Sequence, residues 1–202
     1  MVYTVVRPVA RAKNLSRALG AARRFICDAL VHAERTRGVF TRCGAESRAW
    51  ESVVNQAIWE FCGGANLAPS PDPTVKYPFF KREHSITLPC TDGTAVRRRV
   101  DYMLRLPGAG GEAVAVEIKA LRRKQSPRAA ALAVRDDVAK MQFLLSRGLV
   151  SSALVAVFGL GLTQEKFEDR VTCGAGTLNV KFPRIHPAIR VAFIEVDTTR
   201  QV

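Results

Sequence analysis

Paired cysteines are absent from this sequence. Its five cysteines, Cys27, Cys43, Cys62, Cys90 and Cys173, are odd in number and scattered, and none forms a Cys-x-x-Cys pair. The three histidines, His32, His84 and His186, do not stand at zinc-ligand spacing from them. A disulfide framework and a zinc-ribbon architecture are therefore excluded, and the thiols read as reduced, in a reducing compartment. No apolar run approaches the roughly 20 residues that span a bilayer. The longest, "SSALVAVFGLGL" at 151–162, reads as a buried strand entering a glycine-punctuated loop. The first residues lack the order of charged, apolar and cleavable regions that marks a secretory signal, so the expected location is cytoplasmic. Repeats and low-complexity tracts are also missing. Acidic residues are scarce: 18 Asp and Glu stand against 31 Lys and Arg, a formal charge of +13. That balance favours a polyanionic partner, nucleic acid ahead of an anionic membrane surface.

What remains is an ordinary globular composition, 48% hydrophobic and 24% charged over 202 residues, enough for one domain with an appended arm. Residues 1–13 read as an extended arm. From Asn14 to Gly38, Leu15, Leu19, Ala22, Ile26, Leu30 and Ala33 recur at helical spacing. A second helix is expected over about 45–62, with Trp50, Val53, Val54, Ala57, Ile58 and Phe61 on one face and Gly63-Gly64 at its end. After a proline-rich loop, strands are expected at 79–89, 95–106 and 112–121, with Asp92-Gly93 and "PGAGG" as turns. A helix over 127–147 follows, its apolar stripe including Leu132, Val138, Met141, Leu144 and Leu145. "SALVAVFGL" is then a buried strand parallel to the third, because a helix crosses between them. A short helix near 163–170, a loop and a last strand at 190–197 complete an α/β fold with a mixed sheet flanked by helices.

One stretch breaks the apolar pattern. In "RVDYMLRLPGAGGEAVAVEIKAL" (99–121), strand alternation puts Val100, Tyr102, Leu104 and Leu106 on one face and Arg97, Arg99, Asp101, Met103 and Arg105 on the other. In the next strand Val114, Val116 and Ile118 oppose Ala115, Glu117 and Lys119. A hairpin symmetric about Ala109 sets Asp101 directly across from Glu117, and Arg99 across from Lys119, with Cβ atoms about 4.5–5.5 Å apart. Two carboxylates that close repel each other, the more so when buried. A divalent cation resolves the conflict. Mg²⁺, or Mn²⁺ in its place, takes one or two carboxylates plus water and phosphate oxygens, and at a phosphodiester it supports attack by water. Lys119 is placed to hold the attacked phosphate or to orient the water. Arg97 and Arg99 extend the positive surface toward neighbouring phosphates. The competing reading is a salt-bridged cluster on a solvated face.

Asp101, fifteen residues, then Glu117-Ile118-Lys119 resembles the PD-(D/E)XK nuclease superfamily, the restriction-endonuclease-like fold. The resemblance covers the αβββαβ core from about 42 to 160, and departs in having Val100 rather than proline before the aspartate. It implies Mg²⁺-dependent hydrolysis of nucleic-acid phosphodiesters, with Asp101, Glu117 and Lys119 as the catalytic set. It also implies a further acidic ligand from the first core helix. Glu46, one turn before Trp50 and on that helix's apolar face, is favoured over Glu51. In the helix after the lysine, Lys140 and Gln142 are candidates for the phosphate groove, with ordinary helix-surface polarity as the competing reading. Arg122, Arg123 and Lys124, leaving the catalytic strand, are candidate DNA contacts.

The expected organisation is thus an N-terminal arm and helix (1–41) for DNA contact or dimerisation, joined to a nuclease-like core (42–202) in one compact unit. Double-stranded DNA is the expected partner. A homodimer would supply the two active sites that double-strand cleavage needs. A non-catalytic nucleic-acid-binding protein with the same fold, and a basic interaction module with a purely structural charge cluster, are the alternatives.

Overall fold

The computed structural model describes residues 8–43, 50–61, 79–89, 95–105, 113–187 and 189–197. Helix α1 (Pro8–Arg37) begins with proline, whose missing N–H costs nothing in a first turn. It starts six residues before the expected Asn14, so the stretch read as an extended arm is partly helical. Gly38, at φ 56°, stops it, and a short helix not foreseen in the sequence, α2 (Val39–Cys43), turns back. The buried Glu34 carboxylate fixes that turn by accepting from the Phe40 N–H at 2.7 Å and from the Thr41 hydroxyl. Helix α3 is Trp50–Phe61. Three strands follow, β1 (Phe79–Pro89), β2 (Ala95–Arg105) and β3 (Ala113–Leu121). The expected turns between them lie outside the described residues.

Helix α4 (Pro127–Ser146) is capped by Ser126, whose side chain accepts from the Ala129 N–H at 3.2 Å. Strand β4 (Ser152–Leu160) is buried throughout. Helix α5 (Gln164–Ala175) runs five residues beyond the expected end, and strand β5 (Asn179–Lys181) occupies what read as loop. Strand β6 (Ile189–Val196) closes the chain's sheet, whose order is β1-β2-β3-β4-β6-β5. β3 and β4 are parallel, as the crossing helix requires, and the other pairs are antiparallel.

The sheet is the middle of three layers. On one face, Ala18, Ala22, Phe25, Ile26, Ala29, Leu30 and Ala33 of α1, together with Trp50, Val54, Ala57 and Ile58 of α3, pack on Tyr102, Val116, Ile118, Leu154, Phe158 and Phe193. The alanines of α1 keep its axis close to the sheet. On the other face, Ala130, Val134, Val138, Met141 and Leu144 of α4 and Phe167 and Val171 of α5 pack on Ala115, Val155, Val157 and Ile194. Leu132, expected in the α4 stripe, is exposed, and Ala130 and Val134 take its place. The apolar stripe of α1 is spent inside the first layer. No helix among the described residues is long and apolar enough to cross a membrane.

Candidate active site

Alternation along β3 sends Val114, Val116 and Ile118 toward α1 and α3, and turns Ala115, Glu117 and Lys119 toward α4. The β2–β3 ladder runs from Arg105↔Ala113 to Tyr102↔Val116, the register of a hairpin centred on residue 109. There it stops. The direct pairings expected of Asp101 with Glu117 and of Arg99 with Lys119 are not made, because β2 parts from β3 one residue earlier.

Parting leaves N–H groups of β3 without a strand partner, and carboxylates take them. Asp101 Oδ2 accepts from the Ile118 N–H at 2.7 Å. Two residues on, the Ala120 N–H reaches Glu51 Oε2 at the long limit of 3.5 Å. The distortion extends to β1. The β1–β2 register is the same on both sides of Glu83 and Asp101, yet that one pair is missing, and Glu83 adopts φ 50°. No residue is inserted, so this is a kink rather than a bulge, with a strained backbone at its centre. It also corrects the expected sorting of β2: Val100 joins the α4 side with Met103, not the side of Tyr102.

Helix α4 supplies what the sequence reading missed. Asp137 lies three residues after Val134 and four before Met141, on the buried flank of the helix, and its Oδ2 is 3.1 Å from Lys119 Nζ. One turn on, Lys140 Nζ donates to Glu117 Oε1 at 2.7 Å. Lys119 Nζ also stands 3.6 Å from Glu51 Oε2. Four carboxylates and two lysines thus meet at the β2–β3 gap, with a formal charge of −2 when all are ionised. A charged residue on the apolar side of a helix was the available signal for Asp137.

Burial shapes the electrostatics. The Glu117 carboxyl is pushed up to about 7, first by desolvation and then by the nearby Asp101 charge, with Lys140 opposing. Desolvation also raises Asp101, against the pull of the Ile118 N–H. Asp137 is raised by burial despite Lys119. Burial alone would lower Lys119, but Asp137 and Glu51 outweigh it and hold the ammonium above its usual range. Glu117 Oε2 is buried without a hydrogen-bond partner. An orphaned carboxylate oxygen beside a second carboxylate is a donor set that suits a hard divalent cation. Among the described residues no group of three or more His, Cys, Asp or Glu forms a ready cation cage.

The remaining candidates are dispersed. Glu46 lies outside the described residues, and Glu51, the alternative, is the helix carboxylate found at the gap. Arg99 is exposed and pairs with Glu83 at 3.2 Å. Arg97 stands opposite Thr87 in the β1–β2 ladder. Lys140 and Gln142 project about 200° apart around α4, so Gln142 lies on the flank away from the carboxylates. Arg122, Arg123 and Lys124 are exposed beyond the end of β3. A second residue missed in the sequence, Arg170, is buried in α5 and donates to the Arg122 carbonyl at 3.0 Å, fixing the root of that basic loop. Cys27 has its thiol raised to about 11 by burial, then by Asp28, which keeps it protonated at neutral pH.

Comparison with protein-family models, with curated proteins and with solved structures finds no match.

Proposed function

We propose that this protein is a metal-dependent nuclease that hydrolyses phosphodiester bonds of DNA, with a restriction-endonuclease-like core, acting in the cytoplasm in restriction, defence or mobile-element biology. The observation that carries the reading is the pair Asp101 and Glu117 at a gap in the sheet, one oxygen of Glu117 buried and unsatisfied. Asp101 and Glu117 would hold Mg²⁺ or Mn²⁺, with Glu51 at the edge of the set. When bound, the ion supplies Lewis-acid activation of water and of the phosphate. The Ile118 N–H fixes the Asp101 carboxylate in place. Lys119, held protonated by Asp137 and Glu51, presents a positive charge for the attacked phosphate and for charge developing on it. Lys140 neutralises Glu117 until substrate and ion arrive. A homodimer would bring two such sites to the two strands.

A different observation favours the structural alternative. The two lysines already pair with Glu117 and Asp137, so the cluster balances part of its charge with no ion. That would suit a non-catalytic nucleic-acid-binding protein.

A supercoiled-plasmid assay separates the two. Nicking or linearisation with Mg²⁺ or Mn²⁺, abolished by EDTA and by Asp101→Ala, is the expected result. DNA retarded on a gel but uncut under the same conditions, and RNA and branched DNA equally uncut, would leave the binding protein.

A further inference from the structure

A cavity of about 450 Å³ opens at the end of the sheet where β4 finishes, between the first residue of α5 and the 183–190 turn. Gln164, Arg184, His186 and Arg190 supply its polar lining, with Pro183, Ile185, Pro187 and Ile189 as its apolar walls. Among the described residues that line it, none carries a carboxylate. Glu34, within electrostatic reach of His186, is engaged by Phe40 and Thr41, and the Glu168 carboxylate behind the lining accepts from Gln164 at 2.6 Å. Arg190 donates through one terminal nitrogen to the Pro187 carbonyl at 2.8 Å, while its Nε is buried without a hydrogen-bond partner. The Arg190 guanidinium, held at one terminal nitrogen by the Pro187 carbonyl, thus stands with Arg184 in the lining of a partly apolar cavity, two cations with no carboxylate among the described lining residues.

Sheet register relates this cavity to the carboxylate gap. Leu121 pairs with Gly159, and Gly159 with Arg190; Glu117 pairs with Val155, and Val155 with Ile194. Paired residues share a face, and Glu117 and Leu121 are two side-chain steps apart, so Arg190 rises from the same face as Glu117. Four residues along and two strands across set the two Cα positions about 16 Å apart, at ~3.3 Å per residue and ~4.8 Å per strand. That is about five base-pair rises of a duplex at ~3.4 Å each. A strand that lay over the gap and followed the sheet toward the end of β4 would pass the basic root of the 122–124 loop on its way to the cavity.

We propose that this cavity binds a phosphate group of the nucleic-acid strand, with Arg184 and Arg190 as its cationic ligands. The proposal rests on nucleic acid being the partner and adds a second anchor, remote from the carboxylates, that sets which part of a strand lies at the gap. The phosphate belongs either to the continuous backbone or to a 5′ end.

The test is equilibrium binding in EDTA, where no cleavage intervenes, of 3′-labelled duplex DNA carrying a 5′-phosphate or a 5′-hydroxyl, measured over a range of salt. Arg184→Ala combined with Arg190→Gln is expected to weaken binding about tenfold or more and to reduce the slope of log K against log salt by about one for each phosphate that is no longer neutralised. Arg184→Lys with Arg190→Lys should retain most of the affinity. Arg147→Ala, the loss of one charge near the opposite end of β4, should have less than half the effect of the double variant on log K. Tighter binding of the 5′-phosphate duplex, abolished in the double variant, identifies a terminal phosphate; equal affinity for both duplexes, weakened alike in the double variant, identifies the backbone. An unchanged affinity and slope in a folded double variant, a loss no greater than that of Arg147→Ala, or no binding by wild type, overturns the proposal. If Arg190→Gln does not fold, Arg184→Ala, at an exposed position, carries the same comparison. Because cleavage is not read, a negative plasmid assay would count against the nuclease and leave this result standing.

Discussion

Glu117 is the residue on which the proposed chemistry turns, and its ionisation gives a signature independent of cleavage. The folded protein holds its carboxyl near 7, against an ordinary value of 4.5. Between those values the native state binds a proton that the unfolded chain releases. The contribution of Glu117 to stability is therefore fully present below about pH 4.5 and is lost as pH rises through 7. At pH 8 the penalty is on the order of 3 kcal/mol, at about 1.36 kcal/mol per unit. Glu117→Gln removes the charge but also deprives Lys140 of an ionic partner. The expected net gain in metal-free buffer at pH 8 is about 1–2 kcal/mol, a rise in Tm of roughly 3–6 °C that disappears near pH 4.5. Mg²⁺ should raise the Tm of wild type above pH 6 and not that of Glu117→Gln. Thermal melts from pH 4.5 to 8, with and without Mg²⁺, read all of this; a variant no more stable than wild type at pH 8 would mean that Glu117 is ionised and satisfied by Lys140 alone.

Helix α4 holds two of the six groups of the charge cluster, Asp137 and Lys140, so its seating on the sheet matters as much as its residues. It is clamped from behind by α5 at Gly174, where a Cβ would stand 2.6 Å from Val134 Cβ and 2.8 Å from the Ala131 carbonyl oxygen. Backbone and a β-branched side chain cannot swing aside, so Gly174→Ala must push the two helices apart. A cost of about 1–3 kcal/mol is expected from such overpacking, read as a lowered denaturation midpoint with an unchanged m-value. The displacement carries Asp137 and Lys140 away from Lys119 and Glu117, so Mg²⁺-dependent cleavage should fall further than the loss of folded protein explains. The helix periods, the glycine stop after α1 and the β3 alternation were legible in the sequence because each is written in contiguous residues. The β2 kink was not. Nothing local marks Glu83 for a positive φ, and the departure of Val100 from the Tyr102 face appears only once β2 leaves β3.

At the scale of the whole molecule, α1 belongs to the core. Seven of its residues, from Ala18 to Ala33, are buried in the layer that also buries Tyr102, Val116 and Phe193, and Arg23 pairs with Glu195 of β6 at 2.9 Å. A chain beginning at residue 42 would expose that sheet face to water. It is expected to lose the cooperative thermal transition and near-ultraviolet circular dichroism, and to bind a hydrophobic dye. A cooperative, native-like truncated chain would instead make 1–41 a separable arm.

The sequence by itself determined the α/β class with helices flanking a mixed sheet, the parallel β3–β4 pair, and the placement of Glu117 and Lys119 on one face of a central strand, since a period of two sorts side chains without reference to the rest of the chain. It also determined the excess of positive charge. Only the tertiary structure decided which groups meet: Asp137 and Lys140 reach β3 through the docking of α4, Glu51 arrives from the opposite layer around the gap, and Arg190 comes level with Leu121 through two strand pairings. Those meetings depend on packing between segments far apart in the chain, and local patterns carry no record of it.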